Sequence, residues 1–184
     1  VEIVASGSGS LAAVRGGTVD VSATDAASRA GTINMNARTV QVDSFDSGEG
    51  FIGSSLLANG PSGGGTIFLG DLCFDRCSTE AARIVTLSRE SLLSADATAT
   101  GNGGSIQLNS TFNDIPLGAP PVARTNFGVV DIYGRLQARG GVGGGNGGLI
   151  ETSGPALTTS LLTAGGVLQS TNVDASARAA GGIA

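Results

Sequence analysis

The sequence predicts an all-β, three-sided solenoid of short parallel strands. Three observations carry that prediction. First, an apolar-x-small phrase returns at Val19-Asp20-Val21, Leu56-Leu57-Ala58, Leu93-Ser94-Ala95, Leu136-Gln137-Ala138 and Val173-Asp174-Ala175. Its starts are 37, 37, 43 and 37 residues apart. Second, each phrase is followed by a small-residue run, then by a glycine that leads an isoleucine strand. These are Gly31-Thr32-Ile33-Asn34-Met35, Gly65-Thr66-Ile67-Phe68-Leu69, Gly104-Ser105-Ile106-Gln107-Leu108, Gly148-Leu149-Ile150-Glu151-Thr152 and Gly182-Ile183. Third, glycine supplies 31 of 184 residues and aromatics only 4%, yet 40% of the chain is hydrophobic. Valine, isoleucine and leucine recur in phase with the glycines, which separates this chain from a flexible Gly/Ser linker. A fixed period of this length marks stacked units.

Each unit holds three strands. The first alternates apolar and polar: Ile33-Asn34-Met35, Ile67-Phe68-Leu69 and Ile106-Gln107-Leu108. A period of two puts the outer residues of each triplet on one face. The second strand is clearest at Val40-Gln41-Val42, Val85-Thr86-Leu87 and Val130-Asp131-Ile132, and weaker near Leu161-Leu162. The third is the recurring phrase. This divides a single solenoid segment, 1–184, into about four full coils (31–64, 65–103, 104–147 and 148–181) plus partial ones. Stacking would align Ile33, Ile67, Ile106, Ile150 and Ile183 in one interior ladder, and Ala58, Ala95, Ala138 and Ala175 in another. Parallel strands lie about 4.8 Å apart, so the stack would be roughly 20–25 Å tall.

The corners follow from glycine. Asn59-Gly60, Gly101-Asn102-Gly103-Gly104 and the run 140–148 are expected to supply positive-φ positions at sharp bends. Residues 111–127, with Pro116, Pro120 and Pro121, hold the extra length of the long interval and are expected to loop out. Further extrusions are expected at 43–53 and 71–83.

Charge and composition exclude some classes. The net charge is −5, with ten arginines and no lysine or histidine, so no basic stripe is available for nucleic acid. No stretch approaches the roughly 20 apolar residues of a membrane helix. The chain begins without Met or a signal peptide and stops as a new unit opens at Gly182-Ile183-Ala184, so it reads as an internal segment of a longer protein.

The repeats resemble those of filamentous-haemagglutinin-like exoproteins of two-partner secretion. Leu93-Ser-Ala-Asp-Ala-Thr-Ala-Thr-Gly-Asn-Gly-Gly-Ser-Ile-Gln-Leu108 is similar to one half of that repeat. Val130-Asp-Ile-Tyr-Gly-Arg-Leu-Gln-Ala-Arg-Gly-Gly141, followed by Gly145-Asn-Gly-Gly-Leu-Ile-Glu-Thr-Ser-Gly154, is similar to the other half. Val173-Asp-Ala-Ser-Ala-Arg-Ala-Ala-Gly-Gly-Ile183 fits as well. The likeness is strong from about 92 to 184 and in phase from 19 to 69. It implies a right-handed parallel β-helix, exported through an outer-membrane β-barrel transporter to the surface of a Gram-negative-type bacterium. It also implies adhesion to a glycan or protein, or surface-fibre formation. The family's amino-terminal secretion domain, with its Asn-Pro motifs, has no counterpart here.

Local signals are few. In an exported solenoid, Cys73 and Cys77 read as a disulfide closing a small loop; zinc would lack ligands, and the Cys-x-x-Cys spacing of redox pairs is absent. Asp43, Asp46 and Glu49 could offer oxygens to calcium, but their spacing is not that of an EF-hand and a solvated corner explains them better. The run 143–148 matches a dinucleotide-binding glycine pattern with no helix pattern after it. Asn109-Ser110-Thr111 is a chance glycosylation sequon. With no metal or cofactor site expected, the leading function is a non-catalytic adhesive or structural shaft. The loops 71–83 and 111–127, with Phe74, Phe112, Ile115 and Phe127, are the candidate partner contacts, or else they cover a sheet face. End-to-end self-association into a filament is the first alternative. A carbohydrate-active β-helix enzyme is the second, resting on Asp131 and Glu151 as neighbours on adjacent coils.

Overall fold

Triplets of alternating residues are long enough to pair but too short to bury a face alone, so they must stack. The computed structural model describes residues 1–7, 9–70, 82–110, 128–162 and 168–178, and among these there is no helix. The chain opens with β1 (Glu2–Val4), β2 (Leu11–Arg15) and β3 (Thr18–Asp20). Next come β4 (Thr32–Asn36), β5 (Thr39–Asp43), a small hairpin of β6 (Phe45–Asp46) and β7 (Phe51–Ile52), and β8 (Ser55–Leu57). Then follow β9 (Thr66–Gly70), β10 (Ile84–Leu87), β11 (Leu92–Ser94), β12 (Ser105–Asn109), β13 (Val129–Ile132) and β14 (Arg135–Gln137). The last passage is β15 (Leu149–Ser153), β16 (Ala156–Thr158), a second hairpin of β17 (Ser160–Leu162) and β18 (Leu168–Ser170), and β19 (Asn172–Asp174).

These strands assemble into three stacked five-stranded sheets, ordered β1-β4-β9-β12-β15, β2-β5-β10-β13-β16 and β3-β8-β11-β14-β19. Every neighbouring pair within them is parallel. The chain visits the three sheets in the same order each time. Residues 2–20 already give one strand to each sheet, ahead of the first coil expected at 31–64.

The registers reproduce the expected ladders. Ile33, Ile67, Ile106 and Ile150 are successive partners in the first sheet. Val40, Val85 and Val130 align in the second, with Ala12 and Leu157 at either end. Val19, Leu56, Leu93, Leu136 and Val173 align in the third. Away from the ends these side chains meet in one core, and Ile33, Leu56, Ile67, Leu93, Ile106 and Leu136 are fully buried. Each such burial stabilises by roughly 1.5–3 kcal/mol. Ile183 lies outside the described residues.

Three expectations are corrected. The second-sheet strand of the last passage is Ala156–Thr158, not Leu161-Leu162, which form one arm of the antiparallel β17–β18 hairpin. Phe68 occupies an outward position of its triplet yet is 3% exposed. At the corners, only Gly101, Gly144 and Gly145 of the expected glycines have positive φ. The others are needed for close approach. A Cβ on Gly64, Gly103 or Gly147 would collide with the carbonyl of Ala95, Ala138 or Ala175 in the next passage. A Cβ on Gly65, Gly104 or Gly148 would collide with the carbonyl of Gly31, Gly65 or Gly104 in the passage before. The alanines make the matching turn: Gly65, Gly104 and Gly148 donate their N–H to Ala58, Ala95 and Ala138.

Side chains bind this corner from one passage to the next. The Asn59 N–H donates to Ser22 Oγ (3.1 Å), the Asp96 N–H to Asn59 Oδ1 (2.8 Å), and the Arg139 N–H to Asp96 Oδ1 (2.7 Å). Asp96 is buried, and its charge is met by the Arg139 guanidinium at 2.6 Å. At the end of this column the Asp174 carboxyl is held below its ordinary value of 3.8, chiefly by Ser176, with Arg139 and Arg178 adding to the effect against desolvation. Because the native carboxyl is the stronger acid, it adds stability above pH about 4 that is lost as the pH falls through its native value. In a carboxyl-carbon NMR titration, Ser176→Ala is expected to raise the Asp174 midpoint. An unmoved midpoint would assign the depression to the Ser176 backbone N–H, which the substitution keeps, and to the arginines.

Candidate functional site

Cys73, Cys77, Phe74, Phe112, Ile115 and Phe127 lie outside the described residues. The other sequence-derived candidates do not converge. Asp43 ends β5 opposite Arg15, and burial raises its carboxyl against the pull of that arginine. Asp46 instead accepts the Gly48 N–H within the β6–β7 turn. Among the described residues no group of three or more His, Cys, Asp or Glu side chains could hold a metal ion. Asp131 and Glu151 do not pair, which corrects the expectation for an enzymatic site. Asp131 is in the second sheet between Thr86 and Thr158, whereas Glu151 is in the first, where its Oε2 accepts the Gln107 amide at 3.0 Å. The two residues occupy different phases of the repeat, so stacking cannot bring them onto one ladder. The run 143–148 is a corner leading into β15. Asn109 is buried.

A different site forms where the chain turns from the second sheet into the third. Both hairpins leave the solenoid at that turn, β6–β7 in the second passage and β17–β18 in the fifth. Between them lie the bare turns of the third and fourth passages, Ser88–Ser91 and Tyr133-Gly134. The Ser88 and Ser91 hydroxyls bond each other at 3.1 Å, and Ser91 Oγ accepts the N–H of buried Ser54. Gly134 nests on this turn; a Cβ there would meet the carbonyls of Ser91 and Ser88 at 2.6 and 2.7 Å. Tyr133 and Arg135 are fixed by N–H bonds to Leu87 and Ser91, at 2.8 and 2.9 Å. On the far side Thr171 closes the second hairpin, donating its N–H to Thr159 at 2.9 Å.

These turns border an open groove of about 230 Å³ lined by Arg89, Glu90, Tyr133, Gly134, Arg135 and Ser170. It runs along the stacking direction across three passages. The Arg89 guanidinium lies over the Phe51 ring, 3.8 Å from its centroid, so the first hairpin fixes one cation of the site. Phe51, with Phe45 and Ile52, stands about half exposed beside it. Arg135 is exposed and has no ion-pair partner among the described residues. Burial, then the charge of Asp131, raises the Tyr133 phenol, which stays protonated and able to donate. Glu90 is the only non-glycine with positive φ among the described residues, at 65°. Such a conformation costs roughly 1–3 kcal/mol and persists only where the surroundings impose it. Gly53 makes room for it here, since a Cβ on Gly53 would collide with the Glu90 carbonyl.

Sequence reasoning anticipated the extrusion at 43–53 but not the groove, whose residues meet only when coils stack. One signal was present: Arg89 falls in the turn before a third-sheet strand and Arg135 opens the next such strand. No protein-family model matches this chain, and no curated protein matches it at a significant level.

Proposed function

We propose that the chain is a non-catalytic shaft segment, a right-handed parallel β-helix in which each passage through the three sheets makes one coil. In this reading it belongs to a large exported surface protein of the filamentous-haemagglutinin-like kind and serves attachment. The observation that carries this reading is the unbroken parallel register of all three sheets, which makes a stiff element able to hold a contact surface away from a cell. Right-handedness accords with the preference of parallel crossovers. The test incubates the protein with a glycan array and with matrix proteins, scoring both binding and product release. Saturable binding without turnover is expected. Turnover of any polysaccharide would sink the non-catalytic reading.

Exposed apolar residues on the outermost strands support a second reading, end-to-end assembly. Leu11 in β2 and Leu149, Leu157 and Val173 in the last passage are 53%, 54%, 46% and 57% exposed. They lie on outermost strands whose outer edges are unpaired among the described residues. Such edges template further strands. Sedimentation coefficients that rise with concentration, and cease to rise in Val173→Asp, are the expected sign of a filament subunit. A constant coefficient would discard this reading.

A further inference from the structure

The groove between the two hairpins has the chemistry of a binding site, and we propose that it takes a single acidic sugar residue, a hexuronate-type ring bearing one carboxylate. The charge decides the anion. Arg89 and Arg135 bring two guanidinium groups and Glu90 one carboxylate to the same groove. Asp131, whose charge reaches the Tyr133 phenol, adds a second carboxylate nearby, so the two guanidinium groups suit a monoanion rather than a doubly charged phosphate. Guanidinium groups hold carboxylates through paired N–H donors. The remaining lining decides the body of the ligand. Tyr133 offers an apolar ring face with a protonated hydroxyl at its tip. Ser170 can donate or accept, and Glu90 accepts, so each can meet a ring hydroxyl. The groove is open, and its volume of about 230 Å³ accommodates one sugar ring.

The parts of the site are preformed. Arg89 is stacked on Phe51, Tyr133 and Arg135 are tied by backbone bonds to the third passage, and Glu90 is fixed in its left-handed conformation. This inference is independent of the shaft reading: a shaft without the site remains a shaft.

The chain supplies its own reporter. Tyr133 is the only tyrosine and there is no tryptophan, so tyrosine fluorescence reads this groove alone. The probes are glucuronate, glucose and acetate, each titrated into the wild-type chain and into Arg135→Ala. A saturable change with glucuronate is expected, at least about tenfold weaker for glucose and for Arg135→Ala, as the loss of a charge-assisted contact implies. Acetate is expected to bind at least about tenfold more weakly than glucuronate, because it offers no hydroxyls. Equal affinity for acetate would reduce the site to a plain anion site and overturn the proposal. So would an unchanged glucuronate affinity in Arg135→Ala, or no saturable response to glucuronate at millimolar concentration. Arg135 is exposed, so its substitution leaves the fold intact, which an unchanged far-ultraviolet circular dichroism spectrum would verify.

Discussion

Gly104→Ala is expected to destabilise the fold by about 3 kcal/mol or more, read as a lower urea midpoint. The added methyl would run into Gly65 O and the backbone carbons of Gly64 and Gly65. None of these is the tip of a flexible side chain, so the only relief is to separate two passages. Separation would break the bonds that the corner makes at close range, including the Ser105 N–H to Gly65 carbonyl bond at 2.9 Å. Gly9→Ala is the matched control. Nothing lies within 4 Å of its would-be Cβ and its φ is not positive, so its effect should stay within about 0.5 kcal/mol. If Gly104→Ala were as mild as Gly9→Ala, the passages could not be stacked as closely as described.

Leu93→Ala should be comparably damaging, at about 3–4 kcal/mol. Leu93 is fully buried between Leu56 and Leu136, which are fully buried themselves. Neither neighbour can collapse into the void without leaving its own register, so the cavity stays open. Leu157→Ala, at the end of its ladder and 46% exposed, should lose less than about 1 kcal/mol. In a stacked array, stability is the sum of unit and neighbour terms, so an inner rung matters more than an end one. Equal losses from the two substitutions would mean that the ladder does not form a continuous core.

The contrast between particular residues shows how much was legible. Ile33, Ile67, Ile106 and Ile150 announced their ladder, because a two-residue alternation repeated in phase permits only one inward face. The first two strands, β1 and β2, were harder to see, since Ala12 and Val14 are weaker markers than the valine pairs above them. Leu161-Leu162 misled because hydrophobicity exceeded phase. Ala156-Leu157-Thr158 is the weaker segment by composition, but it alone continues the register of Val129-Val130-Asp131. The separation of Asp131 from Glu151 was legible in principle, since one sits in a second-strand triplet and the other in a first.

The sequence by itself determined the three-strand unit and the inner ladders of its middle passages, because local alternation and a long-range period both leave marks on a linear chain. Tertiary structure alone decided which glycines are obligatory and where Asp96, Arg89 and Arg135 find their surroundings. Those outcomes depend on which atoms of one passage come to rest on the next. That distance is set by backbone pairing between residues some forty positions apart, and no single stretch of sequence records it.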